Sequence, residues 1–133
     1  MTQEATRQVQ IEMLRGDAHV LFLQATDDGA FQRMGTRELR QSDGVLVKGQ
    51  LDEEAANSLF SAIPDDFDET AGHYNDPDAE GDRMGLSIVV KRNTDEHVFQ
   101  MVYGSQSAGP TEDIRDFVLS AIRLTEPAYQ ALR

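Results

Sequence analysis

Cysteine is absent from the 133-residue sequence, and so are long apolar runs. Without cysteine the chain has no disulfides and no thiolate metal ligands, so packing must stabilise the fold. The longest apolar runs, 20–23 and 88–90, are far shorter than the roughly 20 residues that span a bilayer as a helix. The first residues show neither the basic nor the apolar region of a signal peptide. We expect a cytoplasmic protein, although a trimmed exported domain would look the same.

Positive charge is also scarce. The segment from Asp52 to Asp82 has neither lysine nor arginine but eleven Asp and Glu residues, and it accounts for almost all of the formal net charge of −12. Such a field repels nucleic-acid phosphates and anionic lipid, and it attracts a basic protein surface or a divalent cation. The same composition is typical of a solvated loop or of a protein from a salt-adapted host. The sequence leaves these alternatives open.

The motifs of common catalytic sites are missing too. The chain has no Gly-x-Ser-x-Gly elbow, no phosphate-binding glycine loop and no HExxH helix. Its carboxylates are so numerous that no pair stands out as a general acid and base. We therefore predict that the protein is not an enzyme, and we keep an enzyme with a pocket between sheet and helices as a second alternative.

Within two stretches, 7–50 and 85–104, segments separated by turns alternate between apolar and polar residues, which is the period of strands with one face in a core. The second stretch predicts a hairpin. Segments 52–63 and 109–124 place apolar residues at helical spacing. The whole chain, 1–133, is predicted to be a single α+β domain: a mostly antiparallel sheet of about six strands, with two helices packed on one face.

Proline residues predict where both helices end. Pro64 predicts the end of the first helix, and Pro127 predicts a break that leaves 127–133 as a C-terminal turn. Between the first helix and the hairpin, 64–83 is predicted to be a long acidic loop. A loop of this length inside a compact domain is usually functional or mobile.

Two aromatic residues of this loop, Phe67 and Tyr74, do not fit the apolar spacing of a strand or a helix with the residues around them. They either fix the loop to the sheet or anchor a basic, partly apolar partner. Our leading hypothesis is a small acidic protein-binding module, such as an inhibitor, an immunity-type protein or a chaperone-like protein, that engages a basic partner through 65–82. The residues assigned to that surface are Phe67, Tyr74, Asp65, Asp66, Asp68 and Glu69.

The same segment contains part of a calcium-binding pattern. Carboxylates at positions 1, 3 and 5 and Gly81 at position 6 match the first half of an EF-hand loop. Position 12 is Ser87, which cannot supply the bidentate carboxylate, and no helix precedes the loop. The alternative function is therefore calcium binding by a loop of another type, and calcium is the one cofactor considered. Its ligands would be Asp76, Asp78, Glu80 and Asp82.

The order of the elements resembles two bacterial groups: emfourin-type inhibitors of thermolysin-like metalloproteases and an uncharacterised domain of putative lipoproteins. The resemblance covers 45–124 and consists of the helix at 51–60, a polar loop, the hairpin at 86–103 and a helix led by proline at 110–124. A Gly-Gly-Phe type of segment associated with the inhibitors is absent, because Arg-Gly-Asp-Ala stands at 15–18. The resemblance implies a non-enzymatic binding protein and assigns no site residue.

Overall fold

The computed structural model describes residues 6–38, 40, 44–76, 80–93, 95–107 and 109–132. Within these ranges the fold is α+β, with one seven-stranded sheet and three helices. The prediction of a mostly antiparallel sheet with helices on one face is confirmed. The structure has one strand and one short helix more than the sequence indicated, and both additions lie in the acidic segment.

The strands and helices follow one another along the chain as β1 (Thr6–Arg15), β2 (Ala18–Thr26), β3 (Ala30–Met34), β4 (Val47–Gln50), α1 (Glu53–Ser61), α2 (Phe67–Thr70), β5 (Gly72–Asn75), β6 (Arg83–Arg92), β7 (Glu96–Gly104) and α3 (Glu112–Leu132). Their order across the sheet is β4-β3-β2-β1-β6-β7-β5. Every neighbouring pair is antiparallel except β5 and β7. β4 and β5 are therefore the two edge strands.

The core lies between one face of the sheet and the helices. Ile11 on β1 stands opposite Leu23 on β2 and Ile88 on β6, and Ile88 stands opposite Phe99 on β7. All four side chains are buried. Helices α1 and α3 cover this face with residues at helical spacing, which are Ala56, Leu59, Ile114, Phe117, Val118, Ala121 and Ile122. Asp52 caps the start of α1: its carboxylate accepts a hydrogen bond from the Ala55 N–H at 2.7 Å.

The acidic loop predicted for 64–83 is wrong for residues 67–70 and 72–75. Residues 67–70 form α2, and residues 72–75 form β5, which runs parallel to β7. Burial of Phe67, whose side chain is fully inaccessible, holds α2 against the core. A four-residue edge strand has no alternation to reveal it, and a parallel pairing has no hairpin turn, so the sequence gives neither of the usual strand signals.

The predicted end of the last helix is also wrong. α3 continues through Pro127 to Leu132, so there is no separate turn after 124. Pro127 cannot donate a hydrogen bond to the carbonyl four residues before it. The residues beyond Pro127 nevertheless stay helical because Tyr129 is fully buried and Ala128 packs against the core. These tertiary contacts outweigh the lost hydrogen bond.

One charged side chain lies inside the core. Arg33 of β3 is fully buried, and its guanidinium group lies 4.3 Å from the centre of the Tyr129 ring. Its donors reach four acceptors, which are the carbonyls of Gly35 and Ile122, the hydroxyl of Thr125 and the carboxylate of Glu126 at distances of 2.9–3.1 Å. We call this set the Arg33 network. These hydrogen bonds hold β3 against α3. The planar guanidinium group of Arg33 can direct its N–H donors at all of these acceptors.

The Arg33 network makes the free energy of unfolding depend on pH. Partial burial raises the pKa of the Glu126 carboxyl, but hydrogen bonds from Gln130 and Arg33 and the charge of Arg33 together bring the pKa below its ordinary value. The stabilisation is therefore complete above the ordinary glutamate pKa of about 4.3 and is lost as the pH falls through the lower pKa of the folded state. We expect Glu126→Gln to destabilise the protein near neutral pH and to match the wild type in strong acid.

The measurement is the free energy of urea unfolding of both proteins between about pH 7 and about pH 3. We expect the difference between them to shrink below about pH 4.3. A difference that stays constant across this range would show that Glu126 contributes through packing and not through its charge.

Candidate protein-binding surface

A groove lies between the turn that follows α1 and the first half of α3. Its volume is about 550 Å³. We call it the acidic groove; it is lined by Ser61, Ala62, Ile63, Pro64, Asp65, Asp66, Asp113, Asp116, Phe117 and Ser120. The Phe67 N–H donates to the Pro64 carbonyl at 3.0 Å, which closes the turn on one side. Buried Phe67 thus presents the two aspartates before it at the protein surface.

The other wall of the acidic groove follows from the helical period of α3. Ile114 and Phe117 point into the core, so Asp113 and Asp116, one position before each, flank the buried stripe on its exposed side. Their spacing of three residues places both carboxylates on one side of the helix. The two walls therefore bring carboxylates that are far apart in sequence to the same groove.

The groove combines negative charge with apolar surface. Its four aspartates are exposed, and its apolar floor consists of the partly exposed Ala62 and Pro64 together with the buried Ile63 and Phe117. None of the described residues that line it is lysine or arginine. The surrounding charge has the same sign, because 51–76 and 109–132 together hold twelve acidic residues and two basic ones. A cation with an aliphatic stem, such as a lysine or arginine side chain, matches both features.

The predicted partner-binding residues do not form one surface. Asp65 and Asp66 line the acidic groove. Asp68, on α2, forms an ion pair with Arg92 at 2.8 Å and lies 3.5 Å from the imidazole of His97. Glu69 is exposed on the same short helix. The predicted set therefore divides between the groove and the surface around α2.

The prediction that Phe67 anchors a partner is wrong. Its side chain is fully buried in the core, where no partner could reach it without unfolding α2. Tyr74 is the accessible member of the predicted aromatic pair: its side chain is 45% exposed, and its ring packs on Phe99 with 5.4 Å between the centroids. The Tyr74 hydroxyl donates to the Thr70 carbonyl at 2.6 Å, so the ring links β5 to α2.

The structure describes only part of the predicted calcium loop, since Asp78 lies outside the described residues. Asp82 forms an ion pair with Arg15 at 2.6 Å, and the backbone N–H of Glu80 donates to the Ser107 hydroxyl. Among the described residues no three His, Asp or Glu side chains cluster as ligands of a metal ion. Calcium binding through Asp76, Asp78, Glu80 and Asp82 stays a prediction, as does the alternative of an enzyme.

Sequence reasoning missed Asp113 and Asp116. Their position on the exposed side of a helix is readable from the spacing of the buried residues around them. Their proximity to 65–66 is not readable, because it depends on how α3 packs beside the turn after α1, more than 45 residues away.

No protein-family model matches the chain, and no curated protein sequence matches it closely enough to indicate a relationship. The resemblance to emfourin-type inhibitors and to the lipoprotein domain therefore stays a hypothesis. Among the helices in the described part of the chain, none is long and apolar enough to cross a membrane.

Proposed function

We propose that the protein is a small acidic protein-binding module that engages a basic partner through the acidic groove. The observation that carries this proposal is the groove itself, in which four aspartates from two distant segments surround an apolar floor. An inhibitor, an immunity-type protein or a chaperone-like protein would each fit this role. Nucleic acids and anionic membranes are not partners on this proposal, because their phosphates would be repelled.

The exposed carboxylates determine how such a partner would bind. Charges at the rim of an interface mainly increase the rate of association and fix the orientation of the partner, and salt screens them. The partly exposed apolar residues of the groove, Ala62 and Pro64, contribute surface that is removed from water when a side chain enters, and this contribution does not weaken with salt. The proposal therefore predicts an affinity with a large salt-sensitive part.

The test compares two variants that remove the same charge. Asp65→Asn/Asp116→Asn neutralises one carboxylate on each wall of the groove, whereas Asp17→Asn/Asp95→Asn neutralises two exposed carboxylates elsewhere. The probe is a fluorescently labelled octalysine peptide, and its affinity is measured by anisotropy. We expect the groove variant to bind roughly tenfold more weakly than the wild type, and the control variant to bind within about twofold of it.

The salt dependence completes the test. We expect wild-type affinity to fall severalfold as sodium chloride rises from about 50 mM to about 200 mM. Equal losses in both variants would mean that the peptide responds to net charge alone, and the groove would then not be the binding surface. An affinity that does not change with ionic strength would contradict the proposal as a whole.

A further inference from the structure

We propose that the outer edge of β5 binds an extended, basic segment of the partner as an additional strand of the sheet. The outer edge of β5 is the side of Gly72–Asn75 that faces away from β7. This inference rests on the proposed function, because it concerns the same class of partner. It adds a second contact surface and specifies the conformation of the segment that binds there.

The hydrogen bonding of β5 shows which backbone groups face outward. The Asp76 N–H donates to the Val102 carbonyl at 2.9 Å, on the β7 side. In a parallel ladder, alternate residues of a strand turn their N–H and C=O groups to the same neighbour. Gly72 and Tyr74 therefore face β7, and the backbone groups of His73 and Asn75 face outward. In the described ranges, no backbone group bonds to these outward-facing groups.

The outer edge of β5 is accessible. The side chains of His73, Tyr74 and Asn75 are all exposed. Edge strands in natural proteins are commonly protected by lysine, proline or a bulge, and β5 contains none of these. β4, at the other end of the sheet, carries exposed Lys48. An unprotected edge is the surface that β-strand addition requires, since main-chain hydrogen bonds supply its affinity.

The charge around β5 indicates what kind of strand would bind. No lysine or arginine occurs anywhere between Lys48 and Arg83, and Glu69 is exposed on α2, close before β5 in the chain. On the helix-covered face, the half-exposed Tyr74 ring offers a surface on which a cation can lie. An extended segment with lysine or arginine at every second position can place its cations on this face, beside Tyr74.

A proline substitution tests the outer edge without disturbing the existing ladder. Asn75→Pro removes an outward-facing N–H and leaves the N–H groups that face β7 in place, which is the position where edge strands accept proline. Asn75→Ala removes the same side chain and keeps the N–H, so it is the matched control. The probe is a labelled octapeptide of alternating lysine and threonine. We expect Asn75→Pro to weaken its binding at least roughly tenfold, and Asn75→Ala to stay within about twofold.

Modified peptides test the same point with the wild-type protein, so the result does not depend on how Asn75→Pro folds. One peptide carries N-methyl groups on its lysine amides, and the other carries them on its threonine amides. When the lysines lie beside Tyr74, the lysine amides face β5 in one strand direction and the threonine amides face it in the other. We therefore expect the peptide methylated on the set used in the preferred direction to bind much more weakly than the other. Hydrogen exchange at the His73 and Asn75 amides should also slow when the unmodified peptide is present.

The possible results separate this inference from the proposed function. If both methylated peptides and both Asn75 variants bind normally while Asp65→Asn/Asp116→Asn weakens binding, the edge is not used and the acidic groove stands. If no basic peptide binds even at low salt, both proposals fail. If the protein alone forms species whose mass grows with concentration, and Asn75→Pro abolishes them, the occupant of the edge is a second copy and not a basic partner.

Discussion

Replacing Arg33 with leucine is expected to lower the free energy of unfolding by about 3–5 kcal/mol. The substitution removes the guanidinium group at the centre of the Arg33 network and leaves buried carbonyls at Gly35 and Ile122 without their charged donor. It also leaves Glu126 without its ion-pair partner. Removing one member of a buried ion pair strongly lowers the free energy of unfolding, because the remaining polar groups stay out of water without a partner.

Arg37→Leu is the control, because Arg37 lies on the surface with a side chain that is 70% exposed. Its loss should change the free energy of unfolding by less than about 0.5 kcal/mol. Urea unfolding at neutral pH measures both variants. A loss below about 1 kcal/mol for Arg33→Leu would show that the leucine packs as well as the network it replaces, which is known for some buried ion pairs.

The second large effect is expected at Phe67. Phe67→Ala should lower the free energy of unfolding by about 3–5 kcal/mol, since it removes a fully buried aromatic ring. Tyr74→Ala, in the same segment, removes a half-exposed ring and should lower the free energy of unfolding by clearly less. Urea unfolding distinguishes the two variants.

Binding measurements on Phe67→Leu separate a core role from a partner-anchoring role. Leucine keeps most of the apolar volume, so α2 should stay folded and the affinity for octalysine should match that of the wild type. A marked loss of affinity in a variant that is as stable as the wild type would mean that Phe67 contacts the partner, and it would contradict the core role that the burial of Phe67 indicates.

Much of the sheet could be predicted because its strands alternate. In β6, Leu86, Ile88 and Val90 point into the core, and the residues between them are half-buried on the other face. The N-cap at Asp52 was equally readable, since its chemistry is local. These features depend on residues a few positions apart, and local periodicity is sufficient to reveal them.

The features that were missed depend on contacts between distant segments. The continuation of α3 beyond Pro127 requires Tyr129 to meet Arg33, which lies almost a hundred residues earlier. β5 forms because its backbone pairs with the edge of β7. The acidic groove was half predicted for the same reason: Asp65 and Asp66 stood out in an acidic stretch, whereas Asp113 and Asp116 belong to the groove only through the packing of α3.

The parallel pairing of β5 with β7 has a consequence for synthesis of the chain. His73 stands beside Gln100, 27 residues later in the sequence. The ribosome therefore releases the acidic segment well before the strand that completes its pairing exists. During that interval both edges of residues 72–75 are open, and the many carboxylates of the surrounding acidic segment repel the same segment of a neighbouring nascent chain. The negative charge of the acidic segment thus also keeps unfinished copies apart.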